Sequence, residues 1–312
     1  MKRLFALILL LSLLLTACGS HPDAAASCQA VTFTDALGRS VTVDQPQRTA
    51  ALLGSFADVW MLAGGTVCAA PEDAWEDFGL ESDTAVNIGG AHSPSLELLL
   101  SADPDFVIAS SSTASNVELQ ETLEAAGIPV AYFDVDNFGD YLQMLDICTD
   151  ITGRKDLYDQ NGLQLQKQIE DIKALYAREA TAEQRKVLLI RAAASVIKAK
   201  DSTGTILGEM LADMGCVNIA DSDTGLPENL SVEAVIREQP YHIFVVTMGS
   251  DPEGAKGALE NLFRENPAWG SLEAMQAGRM YYMEKSLFNP KPNDRWAEAY
   301  ETLYETLTKS EP

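Results

Sequence analysis

One stretch of this chain occurs twice, and that constrains its fold more than any other feature. Ser95 opens SLELLLSADPDFVIAS and Ser231 opens SVEAVIREQPYHIFVV. Each copy runs serine, apolar residue, glutamate, then about two helical turns, then a proline at the same offset (Pro104 and Pro240), then an apolar run of strand character. The serine can cap the helix, and Glu97 or Glu233 falls in its first turn, where the helix dipole favours a carboxylate. Capping alone explains the first three residues. The match across all sixteen predicts a structural duplication.

The surrounding pattern fits two copies of an α/β unit. Val31–Asp44 alternates around Leu37-Gly38 and reads as a hairpin. Strands are then expected at Ala50–Leu53, Thr66–Ala69, Phe106–Ala109 and Val130–Phe133, with helices at Phe56–Ala63, Ser95–Ser101 and Val117–Ala126 between them. Strands separated by helices in this rhythm indicate a parallel sheet. The rhythm restarts at Lys186–Arg191, with strands at Cys216–Ile219, Ile243–Thr247 and Met280–Met283 and helices at Thr205–Met214, Val232–Arg237 and Leu259–Glu265. Asn293–Lys309 is a closing amphipathic helix. Between the halves, Asp140–Glu179 has almost no strand signal, and Arg154–Glu179 would span about 39 Å if helical throughout, enough to join two domains.

The amino terminus reads as an export signal. Lys2 and Arg3 precede an apolar run from Leu4 to Thr16, too short to cross a bilayer as a helix but suited to a signal peptide. It ends in Leu15-Thr16-Ala17-Cys18, the pattern of a bacterial lipobox, so Cys18 is expected to carry acyl chains that hold the protein at the membrane. Cys28, Cys68, Cys148 and Cys216 have irregular spacing and form no CxxC, which speaks against a zinc site; an exported chain could pair them in disulfides, while the apolar neighbours of Cys68, Cys148 and Cys216 favour buried reduced thiols. With 22 basic against 46 acidic residues the net charge is −24, which excludes nucleic acid as a partner because phosphate binders need a basic face. Three histidines, one of them His21 in the tether, leave no room for a three-histidine metal site.

Taken together, the hairpin, the Phe56–Gly65 segment before a Gly-Gly turn, SLELLLSADPDFVIA, ITGRKDL, the second copy SVEAVIREQPYHIFVV and KPNDRWAEAYETL resemble the substrate-binding lipoproteins of ABC importers for ferric siderophores, haem and vitamin B12. The resemblance covers essentially the whole chain after Cys18. It implies an α/β fold class of two Rossmann-like lobes joined by a single long helix, with the ligand cleft between the lobes. The chain then divides into a signal peptide (1–17), a lipidated tether (18–29), an N-terminal lobe (30–139), a connecting helix (140–180), a C-terminal lobe (181–290) and a closing helix (291–312). The resemblance also implies docking of Glu97 and Glu233 onto arginines of a dimeric permease, a role compatible with capping-turn glutamates. The protein itself is expected to be a monomer on the extracytoplasmic face of the cell membrane.

Ligand in such an architecture lies beyond the carboxyl ends of the strands. The residues expected there are Phe56, Trp75, His92, Ser111, Arg191, Met248, Phe288 and Lys291. Trp75, in the acidic loop PEDAWEDFG, can anchor the loop or form a ligand platform. Arg191 ends the apolar run KVLLIR, where a guanidinium suits carboxylate or catecholate oxygens or an ion pair between lobes. His92 can ligate haem iron or serve as a surface or capping group, and Met248 can offer a thioether or pack. Tyr281 and Tyr282 are adjacent on a strand, so they point to opposite faces and cannot both reach one site. No resident cofactor or metal is expected; the cargo is a ferric siderophore, haem or cobalamin. The few cations among these residues speak against a highly anionic catecholate complex. Two other classes compete with transport. An exported enzyme lacks support, since GxSxG and HExxH are absent. A surface adhesin or sensor could use the same fold without transport.

Overall fold

A computed structural model of the chain describes residues 30–309 except 223, 224, 228, 229 and 250. The expected signal segment, Cys18, the tether up to Gln29 and Cys28 lie outside the described residues. Among the described residues, no helix is long and apolar enough to cross a membrane.

The chain opens with the expected hairpin. Strands β1 (Val31–Thr34) and β2 (Ser40–Val43) pair antiparallel from Val31 opposite Val43. Asp35 holds the turn: its carboxylate accepts from the amides of Leu37 and Arg39 and from the Arg39 guanidinium. Along β2 the valines turn inward and Ser40 and Thr42 outward, so the hairpin lays one apolar edge on the core.

Two parallel sheets follow. The first has the order β5-β4-β3-β6-β7, built from β3 (Thr49–Ala51), β4 (Val67–Ala70), β5 (Val86–Asn87), β6 (Phe106–Ser110) and β7 (Val130–Phe133). The second has the order β10-β8-β11-β12, built from β8 (Lys186–Ala193), β10 (Val217–Asn218), β11 (His242–Thr247) and β12 (Met280–Met283), with β9 (Val196–Lys200) antiparallel to β8. Every residue of β6 and β11 is buried, which is why these strands read as unbroken apolar runs covered on both faces.

The duplication is visible in the topology. β6 stands between β3 and β7, and β11 between β8 and β12, so the repeated unit occupies the same place in each sheet. Ser95 Oγ accepts from the Leu98 amide at 3.3 Å and Ser231 Oγ from the Ala234 amide at 3.4 Å. The residues before the two prolines, Asp103 and Gln239, both take left-handed backbone angles, with φ of 50° and 45°.

The connector departs from the single helix expected over 140–180. A capping box at Asn137 and Asp140 starts a helix at Phe138–Thr152, which ends at Gly153 with φ of 71°. Glycine reaches that left-handed angle without the Cβ clash other residues suffer, so the helix stops there. This first helix belongs to the N-terminal core, where Tyr141, Met144, Leu145 and Cys148 are buried. The chain then runs helically from Lys155 to Glu179 through a π turn at Asp159–Leu163. The turn is pinned to the N-terminal half. Tyr141 Oη donates to the Asn161 carbonyl at 2.8 Å, and Asn161 Nδ2 donates to the Leu62 carbonyl at 2.9 Å. A side chain at Gly162 would begin 3.0 Å from Leu142 Cδ2, so glycine is what lets the turn approach the neighbouring helix.

The chain also returns. After β12 it crosses back, and Asn293 Nδ2 donates to the Ser55 carbonyl at 2.9 Å and to Asp58 Oδ2 at 2.7 Å. The closing helix Trp296–Thr308 then packs along the connector, with Tyr304 Oη donating to Glu179 Oε2 and Tyr300 Oη to Asp213 Oδ2, both at 2.7 Å. One apolar core therefore runs from the first sheet through these helices to the second, and each sheet has a further core on its outer face.

Candidate functional site

Side chains alternate along β8. Leu188, Ile190 and Ala192 enter the outer core, whereas Val187 and Leu189 enter the shared one. Arg191 continues the second series, so the apolar inner face of β8 ends in a guanidinium. It lines a cavity of about 100 Å3 together with Phe288 and Lys291 from the segment after β12, Thr205 from the second half and Asp136 from the first. Asp136 lies just beyond β7 and Arg191 near the end of β8, so the cavity sits at the carboxyl ends of the strands, where open α/β sheets take their ligands.

Arg191 Nη2 donates to Met248 Sδ at 2.8 Å and to Asn289 Oδ1 at 3.3 Å, and burial pulls its pKa below the usual guanidinium value. Lys291 Nζ stands 5.8 Å from the centre of the Phe56 ring. Burial lowers the Lys291 pKa, opposed by the charges of Asp136, Asp134 and Asp140. Burial likewise raises the Asp136 carboxyl, with Asp134 and Asp140 adding and Lys291 opposing. Thr205 caps the helix Ile206–Asp213, its Oγ1 accepting from the Gly208 amide, so the hydroxyl marks the cavity wall where that helix begins.

The structure thus brings Arg191, Phe288 and Lys291 around one cavity and places Met248 beside it. The other expected ligand residues are elsewhere. Phe56 is 1% exposed: it lies on the inner face of the helix Gly54–Leu62, edge-on to the Phe133 ring, and forms a floor beneath Lys291 instead of a platform for a ligand. Trp75 sits in the short helix Asp73–Glu76, packs on the shared core and points its indole N–H at the Ser82 carbonyl, the arrangement of a loop anchor. His92 is exposed in the turn before Ser95. Ser111, just past β6, donates to the Phe133 carbonyl at 3.4 Å. None of these four lines the cavity. Tyr281 packs against Phe244, and Tyr282 is 39% exposed on the other face.

Asp136, Thr205 and Asn289 were not among the expected residues. Asp136 was open to inference, because it follows the strand Val130–Phe133 at its carboxyl end. Thr205 and Asn289 read as ordinary cap and turn residues. Glu97 and Glu233 are both exposed in first helical turns, and Glu233 accepts from Ser231 Oγ at 3.0 Å. Cys68, Cys148 and Cys216 are free thiols, the latter two buried. Among the described residues, no group of three or more His, Cys, Asp and Glu is gathered to hold a metal ion.

Comparison with known proteins places this geometry in context. Residues 50–287 match the family described as periplasmic binding protein. A putative ABC transporter substrate-binding lipoprotein, YhfQ of Bacillus subtilis, is 21% identical over 98% of this chain and 96% of its own length. The Fe(3+)-citrate-binding protein YfmC of the same organism is 24% identical over 79% of this chain and 76% of its own. Among solved structures, Staphylococcus aureus SirA complexed with staphyloferrin B covers 89% of this chain and 98% of its own with a TM-score of 0.67 at 20% identity, a likeness of fold.

Proposed function

This chain belongs to the periplasmic binding protein family, a family of binding proteins and not of enzymes, and from that premise we propose that it captures a ferric siderophore, haem or corrinoid outside the cytoplasm and delivers it to an ABC importer. The observation that carries the reading is the cavity at the carboxyl ends of two duplicated parallel sheets, with Asp136 from one half and Arg191, Phe288 and Lys291 from the other. Acyl chains on Cys18 would keep the protein at the membrane beside the permease. The exposed Glu97 and Glu233 occupy equivalent places in the two copies, so a permease of two equivalent subunits could meet both with basic side chains.

Two measurements test this. The detergent-solubilised full chain is titrated with haem, cobalamin, ferric citrate and a ferric hydroxamate while its melting is followed. A bound ligand at 100 times its Kd adds about 2.7 kcal/mol of stability, and silence toward all four refutes the cargo class. In cells, Glu97→Ala with Glu233→Ala should leave binding intact and lower uptake, whereas unchanged uptake refutes docking through these glutamates.

A further inference from the structure

The two copies of the repeated unit differ in what surrounds their glutamates. In the first copy the helix Leu96–Ser101 buries Leu99, while Leu98 and Leu100 remain 42% and 39% exposed. Successive helical residues are rotated by about 100°, so Leu98 stands about 100° to one side of Glu97 and Leu100 about 60° to the other. The carboxylate therefore stands between two leucines on the outward face. In the second copy the equivalent places are filled differently. Ala234 is buried, and Ile236 packs on the outer core of the second sheet. Arg237, in the place of Ser101, is exposed one turn beyond Glu233 and pairs with Glu238 at 3.7 Å. Glu97 thus has an apolar collar and Glu233 a charged neighbour. Single exposed apolar residues are ordinary, and Val196 and Val217 are such cases, each on its own strand. Leu98 and Leu100 share one short helix and bracket one carboxylate.

Resting on the proposed delivery to an importer, we propose that the first copy carries the main docking contact: Leu98, Glu97 and Leu100 seat on a basic side chain that the permease presents within an apolar patch, while the contact at Glu233 is polar and weaker. Once seated, the leucines exclude water from the ion pair, which strengthens its attraction and rings it as the anchors of protein interfaces are ringed. Around Glu233 water keeps its access, and the Arg237 charge opposes an approaching cation. Two other occupants fit the collar less well. A second copy of this chain would bring Glu97 against a molecule of net charge −24, and two leucines fall far short of the roughly 800 Å2 that each partner buries in a stable dimer. A membrane surface of anionic lipids would repel the carboxylate between the leucines. A permease that sets a cation in an apolar frame satisfies all three side chains. The two lobes are consequently not interchangeable at the permease, although their repeated units are copies.

The test places a photoreactive diazirine amino acid in the full chain, expressed in its native host, in place of Ser101 or, in matching register, of Arg237. Adducts formed on illumination are identified by mass spectrometry, and melting of each variant serves as the folding control. The expected result is adducts from both positions with a membrane-spanning subunit of an ABC importer. Leu98→Ser with Leu100→Ser should lower the yield at both positions at least fivefold, and Leu98→Met with Leu100→Met should keep it. Ile236→Ser, the equivalent change in the second copy, should alter it less than twofold. Yields indifferent to the serine pair overturn the collar and leave the docking role standing. An equal loss from Ile236→Ser overturns the inequality of the two contacts. Adducts from Ser101 with a second copy of this chain or with lipid, in place of the permease, overturn the assigned partner of the collar. If neither position yields a permease adduct, it is the docking reading itself that fails.

Discussion

Two buried titratable groups in this structure push the acid response in opposite directions, and separating them gives a sharp prediction. His242 is fully buried at the start of β11. Burial, assisted by the nearby Arg279 charge, pulls its pKa down to about 4. Below pH 6.5 the unfolded imidazole takes a proton that the folded one refuses, so stability is lost as the pH falls. At pH 5 the linkage amounts to about 2 kcal/mol. Asp58 behaves inversely. Burial pushes its carboxyl up to about 6, against the Asn293 hydrogen bond and with help from Asp294. Here the folded state takes the proton first, so stability is gained as the pH falls through 6, by about 1.4 kcal/mol at pH 5. In the wild-type chain these two contributions nearly cancel. Substitution separates them. Relative to the unmodified chain, between pH 8 and pH 5 His242→Phe should gain about 2 kcal/mol and Asp58→Asn should lose about 1.4 kcal/mol. Urea unfolding of both variants at pH 8, 6.5 and 5 measures the difference, in which every other titrating group is common. The two variants should diverge by about 3.4 kcal/mol over that range. Parallel pH responses, within about 0.5 kcal/mol, would refute the assignment of either proton.

Two further outcomes follow from the connector and the crossing. Gly153→Ala forces a Cβ into a φ of 71° at the end of the helix Phe138–Thr152, and should cost about 1 kcal/mol in urea midpoint analysis with an unchanged m-value. Asn293→Ala removes the amide shared by the Ser55 carbonyl and Asp58, taking a hydrogen-bond donor from both; a loss of about 1–3 kcal/mol is expected, and a neutral result would show that the crossing does not depend on these two bonds.

The elements that could be read from the sequence were those with a one-dimensional signature. Val130–Phe133 and Met280–Met283 stand where their apolar runs put them, because a buried parallel strand needs little beyond that run. β9 was not legible, since Ala194 and Ser195 turn β8 back on itself without a glycine, asparagine or proline to announce it. Two-residue β5 carries no pattern at all. Gly153 was legible as an interruption of the helical stretch 140–179, and its left-handed angle is what ends the first helix there. In the site, Arg191, Met248, Phe288 and Lys291 could be named because each follows or ends an apolar run. Phe56 misled for a related reason. It also follows a strand, but the helix it begins turns that position inward, and a strand end alone does not reveal which side of the next helix will face the core. Asp136 and Thr205 join the cavity through the approach of segments about 70 residues apart, which no local pattern encodes.

The return of the chain after β12 has a consequence in time. The ring of Trp296 packs edge-on to Phe138, 5.9 Å away between centres, inside the core that the N-terminal half shares with the connector. A ribosome adding 5–20 residues per second reaches Trp296 roughly 8–30 s after Phe138. Throughout that interval the first sheet is fully translated yet its hydrophobic interior lacks a wall. The core of the first half is therefore complete only once the last helix is present.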